Sequence, residues 1–201
     1  MTYQDKNKIH WIDPMKVIFC TSASDIVDLS QHKANKNHHH AYFDRGYFFE
    51  DKRRGEVTGG DWDVSNIEFD KLLEYRALLE HYSGKTKWIN SQFAERIVQS
   101  ISLGFKIDGF SDGRDFIKEK EIRINKLFDS ISKSGVHPTA GKEGKACLLD
   151  DISINIDRYG SPLFNNRGHH RLSIAKILNI NTIPVQIIVR HKLFVQSKKL
   201  Y

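Results

Sequence analysis

Apolar and polar positions change period several times along the chain. Met15-Lys16-Val17-Ile18-Phe19-Cys20 alternates and is rich in β-formers, which predicts a short strand. Residues 24–46 are polar and histidine-rich and read as loop. Residues 47–65 hold Gly55, Gly59 and Gly60 among many charges and read as an ordered loop. From residue 67 the period becomes helical. Ile67, Leu72, Leu73, Tyr75, Leu78, Leu79 and Tyr82 form one face, ending near Gly84. A second helix is predicted over about 91–103, closed by Gly104. A third spans 115–134, with Ile117, Ile122, Ile124, Leu127, Phe128 and Ile131 apolar and Gly135 as its cap.

Strand period returns in residues 150–158, where Ile152, Ile154 and Ile156 alternate with polar residues. Tyr159-Gly160-Ser161-Pro162 is a turn, and residues 163–166 a second short strand. A helix follows over 170–178, and residues 183–191 close as a strand. This β-turn-β-α-β order predicts an α/β (α+β) fold with a small mixed sheet and helices. The division expected is an N-terminal elaboration, 1–110, packed on a core of 111–201.

Composition adds little to the fold but narrows the partners. The formal net charge is +6, which favours anionic ligands such as nucleotides, phosphosugars, nucleic acid or anionic lipid. The basic residues are dispersed, with no long basic arm. The two cysteines, Cys20 and Cys147, do not suggest a disulfide scaffold and are read as buried. No stretch is long and apolar enough for a membrane span, and the N-terminus has no signal-peptide core. A cytoplasmic protein is expected.

The candidate chemistry centres on Gly168-His169-His170-Arg171, directly before a helix. A glycine permits close backbone approach, and the first helical turn offers unpaired N–H groups with partial positive charge. Arg171 can fork onto phosphate oxygens, and a histidine can donate a hydrogen bond or exchange a proton. The alternative is structural: Arg171 paired with a carboxylate, and a histidine capping backbone groups.

Residues 165–191, with Gly168, His169, His170, Arg171, the helix from Leu172 and the closing Ile183-Pro184-Val185 strand, resemble the nucleotide-binding corner of the ParB/sulfiredoxin superfamily. The preceding helix, which ends in Ser130-Ile131 and reaches Gly135, is also similar. The resemblance covers about 122–191. It implies a phosphate site at Gly168, His169, His170 and Arg171, and a nucleotide ligand, ATP or another. The histidine at 169 stands where sulfiredoxins carry cysteine, so sulfinic acid reduction is not implied. The helix-turn-helix that follows in partition proteins is not expected here. The His170-Arg171 pair is closer to the sulfiredoxin and small-molecule kinase branches, and makes His170 the expected catalytic group.

A phosphotransferase also needs carboxylates for Mg²⁺ or for proton transfer. The glycine loop offers Glu50, Asp51, Glu56, Asp61 and Asp63. Asp61 and Asp63, two apart, share a face if extended, and are the expected Mg²⁺ ligands, with Asp61 also a candidate base. Trp62 either stacks on a ligand or anchors the loop. Asp157 is read as a turn former in Asp157-Arg158-Tyr159-Gly160. Arg190-His191 is placed near the Arg171 corner. The run His38-His39-His40, with His32, reads as solvated loop rather than a metal site. Trp88 and Phe93 read as core.

The function expected from sequence is therefore a nucleotide-dependent phosphotransferase acting on a small hydroxyl compound. The alternatives are a nucleic-acid-binding or nuclease-like ParB-type protein, and a nucleotide-gated binding module without catalysis.

Overall fold

The computed structural model describes residues 8–21, 48–64, 67–105, 107–138 and 151–198. Its centre is a mixed sheet of seven strands: β1 (Ile9–Ile12), β2 (Phe19–Cys20), β3 (Glu56–Thr58), β4 (Ile67–Glu68), β5 (Ile152–Ile156), β6 (Pro162–Phe164) and β7 (Ile183–His191). Five helices accompany it: α1 (Leu73–Tyr82), α2 (Gln92–Ser102), α3 (Gly113–Ser134), α4 (His169–Ile177) and α5 (Lys192–Ser197). The protein is thus an α/β fold, as the element order predicts. Residues 24–46, with the histidine run, and Cys147 lie outside the described residues.

The strands run in the order β1-β7-β5-β6-β2-β4, and β3 also pairs with β7. Along one edge of the long β7, its first half pairs antiparallel with β1 and its last three residues pair parallel with β3. On the other edge lies β5, parallel to it. The N-terminal half therefore supplies four of the seven strands. It shares one hydrophobic core with the C-terminal half, running from Val17 through Phe69, Trp88 and Ile117 to Ile174 and Val185.

Strand β5 shows how the sheet is covered. Its isoleucines are buried, as their alternation predicts, but so are Ser153 and Asn155 between them. A polar network keeps these groups satisfied under the second layer. Asn155 Nδ2 donates to Thr21 Oγ1 at 2.7 Å and Asn165 Oδ1 at 2.9 Å, and its Oδ1 accepts from Val189 N–H at 3.2 Å. Ser153 Oγ accepts from Arg167 N–H at 2.9 Å. Without such partners each buried polar group would cost on the order of 1–3 kcal/mol.

The helices are set by their caps. Asp112 accepts from Arg114 and Asp115 N–H groups at the start of α3, and these bonds hold its carboxyl below the ordinary range. Gly135 closes the same helix, donating to Ile131 O at 2.8 Å. Ser91 caps α2. Residues predicted helical at 67–72 form instead the β4 pairing and a 3-10 turn at Phe69–Lys71. Of the strand expected at 15–20, only Phe19–Cys20 pairs, after a 3-10 turn at Pro14–Lys16 begun by the rigid φ of Pro14.

Candidate functional site at the start of helix α4

Gly168 is the N-cap of α4, with φ +74°. A Cβ there would lie 2.6 Å from Ile152 Cα. The close approach expected at this glycine is thus made to the backbone of β5, seating the helix start on the first residue of that strand. As a glycine, the N-cap has no side chain with which to cap α4.

The two histidines then diverge. His169 is 5% exposed and enters an aromatic pocket, its ring 5.5 Å from that of Phe69 and 6.1 Å from that of Phe164. His170 has a third of its side chain exposed and lines a cavity of about 220 Å³ between α3 and α4. Both meet one acid, Glu74 of α1. Glu74 Oε1 lies 2.8 Å from His170 Nε2, and Oε2 lies 3.1 Å from His169 Nδ1. Lys120 of α3 places Nζ 2.7 Å from Glu74 Oε1, and 5.2 Å and 5.3 Å from the ring centroids of Phe93 and Phe116.

Glu74 is 3% exposed. Burial pushes its carboxyl upward, but Lys120, then His170 and His169, outweigh it and hold the group well below the usual carboxylate range. Glu74 is therefore ionised. An ionised carboxylate only accepts hydrogen bonds, so the facing Nε2 of His170 is the donor in the 2.8 Å contact. That is the arrangement by which a buried carboxylate fixes the tautomer of a histidine base. Besides His170, the cavity wall holds Lys120 and Arg123, the acids Asp108 and Glu119, and the aromatic surface of Phe110 and Phe116, with Arg123 Nε 2.9 Å from Glu119 Oε1.

Glu74, His169 and His170 also bring ligand-type atoms within 4.8 Å of one another. The Lys120 ammonium already neutralises the carboxylate and would adjoin any ion held by the trio. The cluster is charge-balanced as it stands, and it fits proton handling better than a metal.

Arg171 turns the other way. Its Nη2 donates to His137 O at 2.9 Å, and Nη1 lies 3.5 Å from Asp151 Oδ1. It ties the segment after α3 to the start of β5, which is the structural alternative anticipated for it.

The acidic glycine loop is built differently from the expectation. Each of its acids has a cationic partner: Glu50 with Lys52, Asp51 with Arg167 (2.5 Å), Glu56 with Arg53 (2.7 Å), and Asp61 and Asp63 with Arg158. Arg158 Nη2 donates to Asp61 Oδ1 at 2.8 Å and Asp63 Oδ1 at 2.7 Å, and Arg158 N–H donates to Asp63 Oδ2 at 2.8 Å. Burial pushes the Asp63 carboxyl up, yet the Arg158 bonds prevail and hold it below the ordinary range; the same bonds raise Arg158. Asp61 and Asp63 do share a partner, as their spacing suggested, but the partner is a guanidinium. Arg158 takes both oxygens of Asp63 and one of Asp61, so the pair is already neutralised by a guanidinium and is not a joint carboxylate site for Mg²⁺.

The loop meets the α4 corner only at its start, where Asp51 pairs with Arg167 beside Gly168; its Asp61–Asp63 end does not reach it. Gly168 packs on Ile152, at the start of β5, while Arg158 follows that strand's far end. Six residues of largely extended chain set the two roughly 15–20 Å apart. Asp61 therefore cannot be the base of a site at His170. Arg190-His191 is displaced for the same reason. Because β7 runs parallel to β5, its end lies beside Ile156, and His191 Nε2 meets Gly60 O at 2.9 Å. Trp62 anchors the loop, edge-on to Phe49 at 5.1 Å. Asp157 accepts from Tyr159 and Ser161 N–H groups and forms the turn its sequence predicts. Trp88, Phe93 and Cys20 are buried core.

Glu74, Lys120 and Arg123 are the residues that motif reading misses. Two of them left a trace. Glu74 stands in line with Ala77 and Leu78 at i+3 and i+4, and Lys120 with Phe116 at i−4 and Ile124 at i+4. A lone charge inside an apolar helical stripe marks a buried charge that needs a partner.

Comparison with protein-family models, curated proteins and solved structures finds no match.

Proposed function

We propose that the chain is a phosphotransferase that handles a phosphoryl group at the α4 corner, with His170 as its general base. The observation that carries this reading is the Glu74–His170 pair: a buried carboxylate 2.8 Å from a histidine that lines a cavity also walled by Lys120 and Arg123. The likeness of residues 122–191 to the ParB/sulfiredoxin superfamily supports a nucleotide as phosphoryl donor. At about 220 Å³ the cavity has room for a phosphoryl group and a small acceptor, and not for a whole nucleotide.

In this reading the acceptor hydroxyl gives its proton to His170 Nδ1 as its oxygen attacks the terminal phosphorus. The bond from that phosphorus to the bridging oxygen breaks, and the nucleotide, one phosphate shorter, leaves with the electron pair. Glu74 stays ionised and stabilises the imidazolium. Lys120 and Arg123 face the charge that spreads over the phosphoryl oxygens. No step is assigned to Mg²⁺.

The reading is tested by phosphate transfer from ATP, ADP or CTP to sugars and hydroxyl amino acids, in wild type and His170→Ala. Transfer that depends on His170 is expected. Nucleotide binding without turnover would make the chain a nucleotide-gated module. Activity lost to a chelator and restored by Zn²⁺ would reassign Glu74, His169 and His170 as a metal centre.

A further inference from the structure

We infer that the acceptor taken at the His170 cavity carries its hydroxyl on a compact apolar body, and is an aromatic or branched-chain alcohol in preference to a sugar or a hydroxyl amino acid. The inference rests on the phosphotransferase reading of that cavity and names the class of its acceptor. Phe110, Phe116, Ile124 and Leu127 all line the cavity, so apolar side chains form a continuous part of its wall.

Three of these residues come from one side of α3. Phe116, Ile124 and Leu127 recur at helical spacing, and Glu119, Lys120 and Arg123 fall between Phe116 and Ile124 on the same side. The wall is therefore polar in its middle and apolar towards both ends. Lys120 joins the two characters. Its Nζ lies 2.7 Å from the Glu74 oxygen that meets His170, and 5.3 Å from the Phe116 ring centroid. The aromatic wall thus begins beside the groups that would hold the reacting hydroxyl.

Phe110 is placed by a turn. Asp108 and Gly109 have φ +50° and +83°, and Phe110 N–H donates to Ile107 O at 2.9 Å. Two central residues with positive φ are what an Asp-Gly pair supplies in a tight two-residue turn. Ile107 is buried and anchors the turn, which sets Phe110 edge-on to Phe116 with ring centroids 5.6 Å apart. The apolar wall is formed before a ligand arrives, so little ordering opposes binding.

The charged groups of the wall are engaged with the protein. Arg123 Nε donates to Glu119 Oε1 at 2.9 Å, Lys120 and His170 share Glu74, and Asp108 has contacts of its own. A sugar buried here would set several hydroxyls against Phe110, Ile124 and Leu127, which offer no hydrogen bond in place of water. A ring or branched chain on the same wall removes apolar surface from water instead.

Transfer from ATP, ADP or CTP by the full chain to benzyl alcohol, 3-methylbutan-1-ol, glycerol and serine tests the inference, with calorimetric titration of benzyl alcohol alongside. The two apolar alcohols should show at least about tenfold higher kcat/KM than glycerol or serine. Phe110→Ser and Leu127→Gln should each lower the ratio of kcat/KM for benzyl alcohol over glycerol roughly tenfold. Either variant that folds decides. Glycerol or serine as the better acceptor, in a reaction that needs His170, overturns the inference and leaves the phosphotransferase reading standing. So does an unchanged ratio in the variants. Should no acceptor receive phosphate, the phosphotransferase reading fails by itself and calorimetry decides the ligand class of the cavity. Saturable binding of benzyl alcohol that Leu127→Gln weakens upholds an apolar ligand, and an absence of saturation overturns it.

Discussion

His170 Nε2 and Glu74 Oε1 lie 2.8 Å apart across 96 residues of sequence. The contact joins the first turn of α4 to the first turn of α1. Lys120 reaches the same oxygen from α3, so three helices meet on one buried carboxylate.

Removing that charge should therefore cost stability. Glu74→Gln keeps the size of the side chain but leaves the Lys120 ammonium buried without its counter-ion. Breaking a buried pair from one side costs about 3–5 kcal/mol. Urea unfolding of Glu74→Gln, Lys120→Met and the double variant checks this. The double variant should be less destabilised than the sum of the two singles; additive losses would mean that the pair is not coupled.

The pair also sets an acid limit. Glu74 is held well below its ordinary value in the folded chain, so the folded state binds its proton less readily than the unfolded one. This contribution is complete above the unfolded value, about pH 4.3. It is lost as the pH falls through the lower, folded value. Glu74→Gln should accordingly flatten the fall in stability below about pH 4.3, measured by urea midpoints across the acid range. An unchanged acid slope would show that other carboxylates set it.

Gly168 and Gly84 provide a matched comparison. Both have φ +74°, but a Cβ on Gly84 meets nothing within 4 Å, whereas one on Gly168 lies 2.6 Å from Ile152 Cα. Alanine at either position costs about 1–2 kcal/mol for the left-handed backbone. At Gly168 the clash with β5 should add about 1–3 kcal/mol. Thermal unfolding of the two variants separates the packing cost from the conformational one, and equal shifts would contradict the packing of α4 on β5.

Much of this was readable in the chain. The bounds of β7 and the approximate spans of α2, α3 and α4 follow from period and caps alone, because those elements are long and periodic. β3 was not readable, since Glu56-Val57-Thr58 becomes a strand only by pairing with the far end of β7. The corner Gly168–Arg171 was visible as a motif, but its partners were not, because Glu74 and Lys120 come from helices distant in sequence. The loop acids misled for a related reason. Their spacing allowed Mg²⁺, while Arg158, 95 residues beyond Asp63, is the group that takes them.

Asp61 and Asp63 should then act on the loop and not on the α4 corner. Asp63, buried against Arg158, should lower the urea midpoint clearly when changed to Asn; exposed Asp61 should lower it little. Because the Asp63 carboxyl is held below its ordinary value, its contribution is present above about pH 3.9 and is lost as the pH falls further. Nucleotide titration of Asp61→Asn should match wild type, and a large loss of affinity would return the loop to the site.

The central claim is that His170 is the group that meets the phosphoryl ligand. Its most direct test is the ring resonance of His170 in isotope-labelled protein, assigned through His170→Gln and followed during titration with MgATP. The account predicts a saturable shift of the His170 ring signal, with Arg123→Gln requiring roughly tenfold more nucleotide to reach it. A His170 signal that stays fixed while MgATP saturates the protein, or the absence of any nucleotide binding, would contradict it.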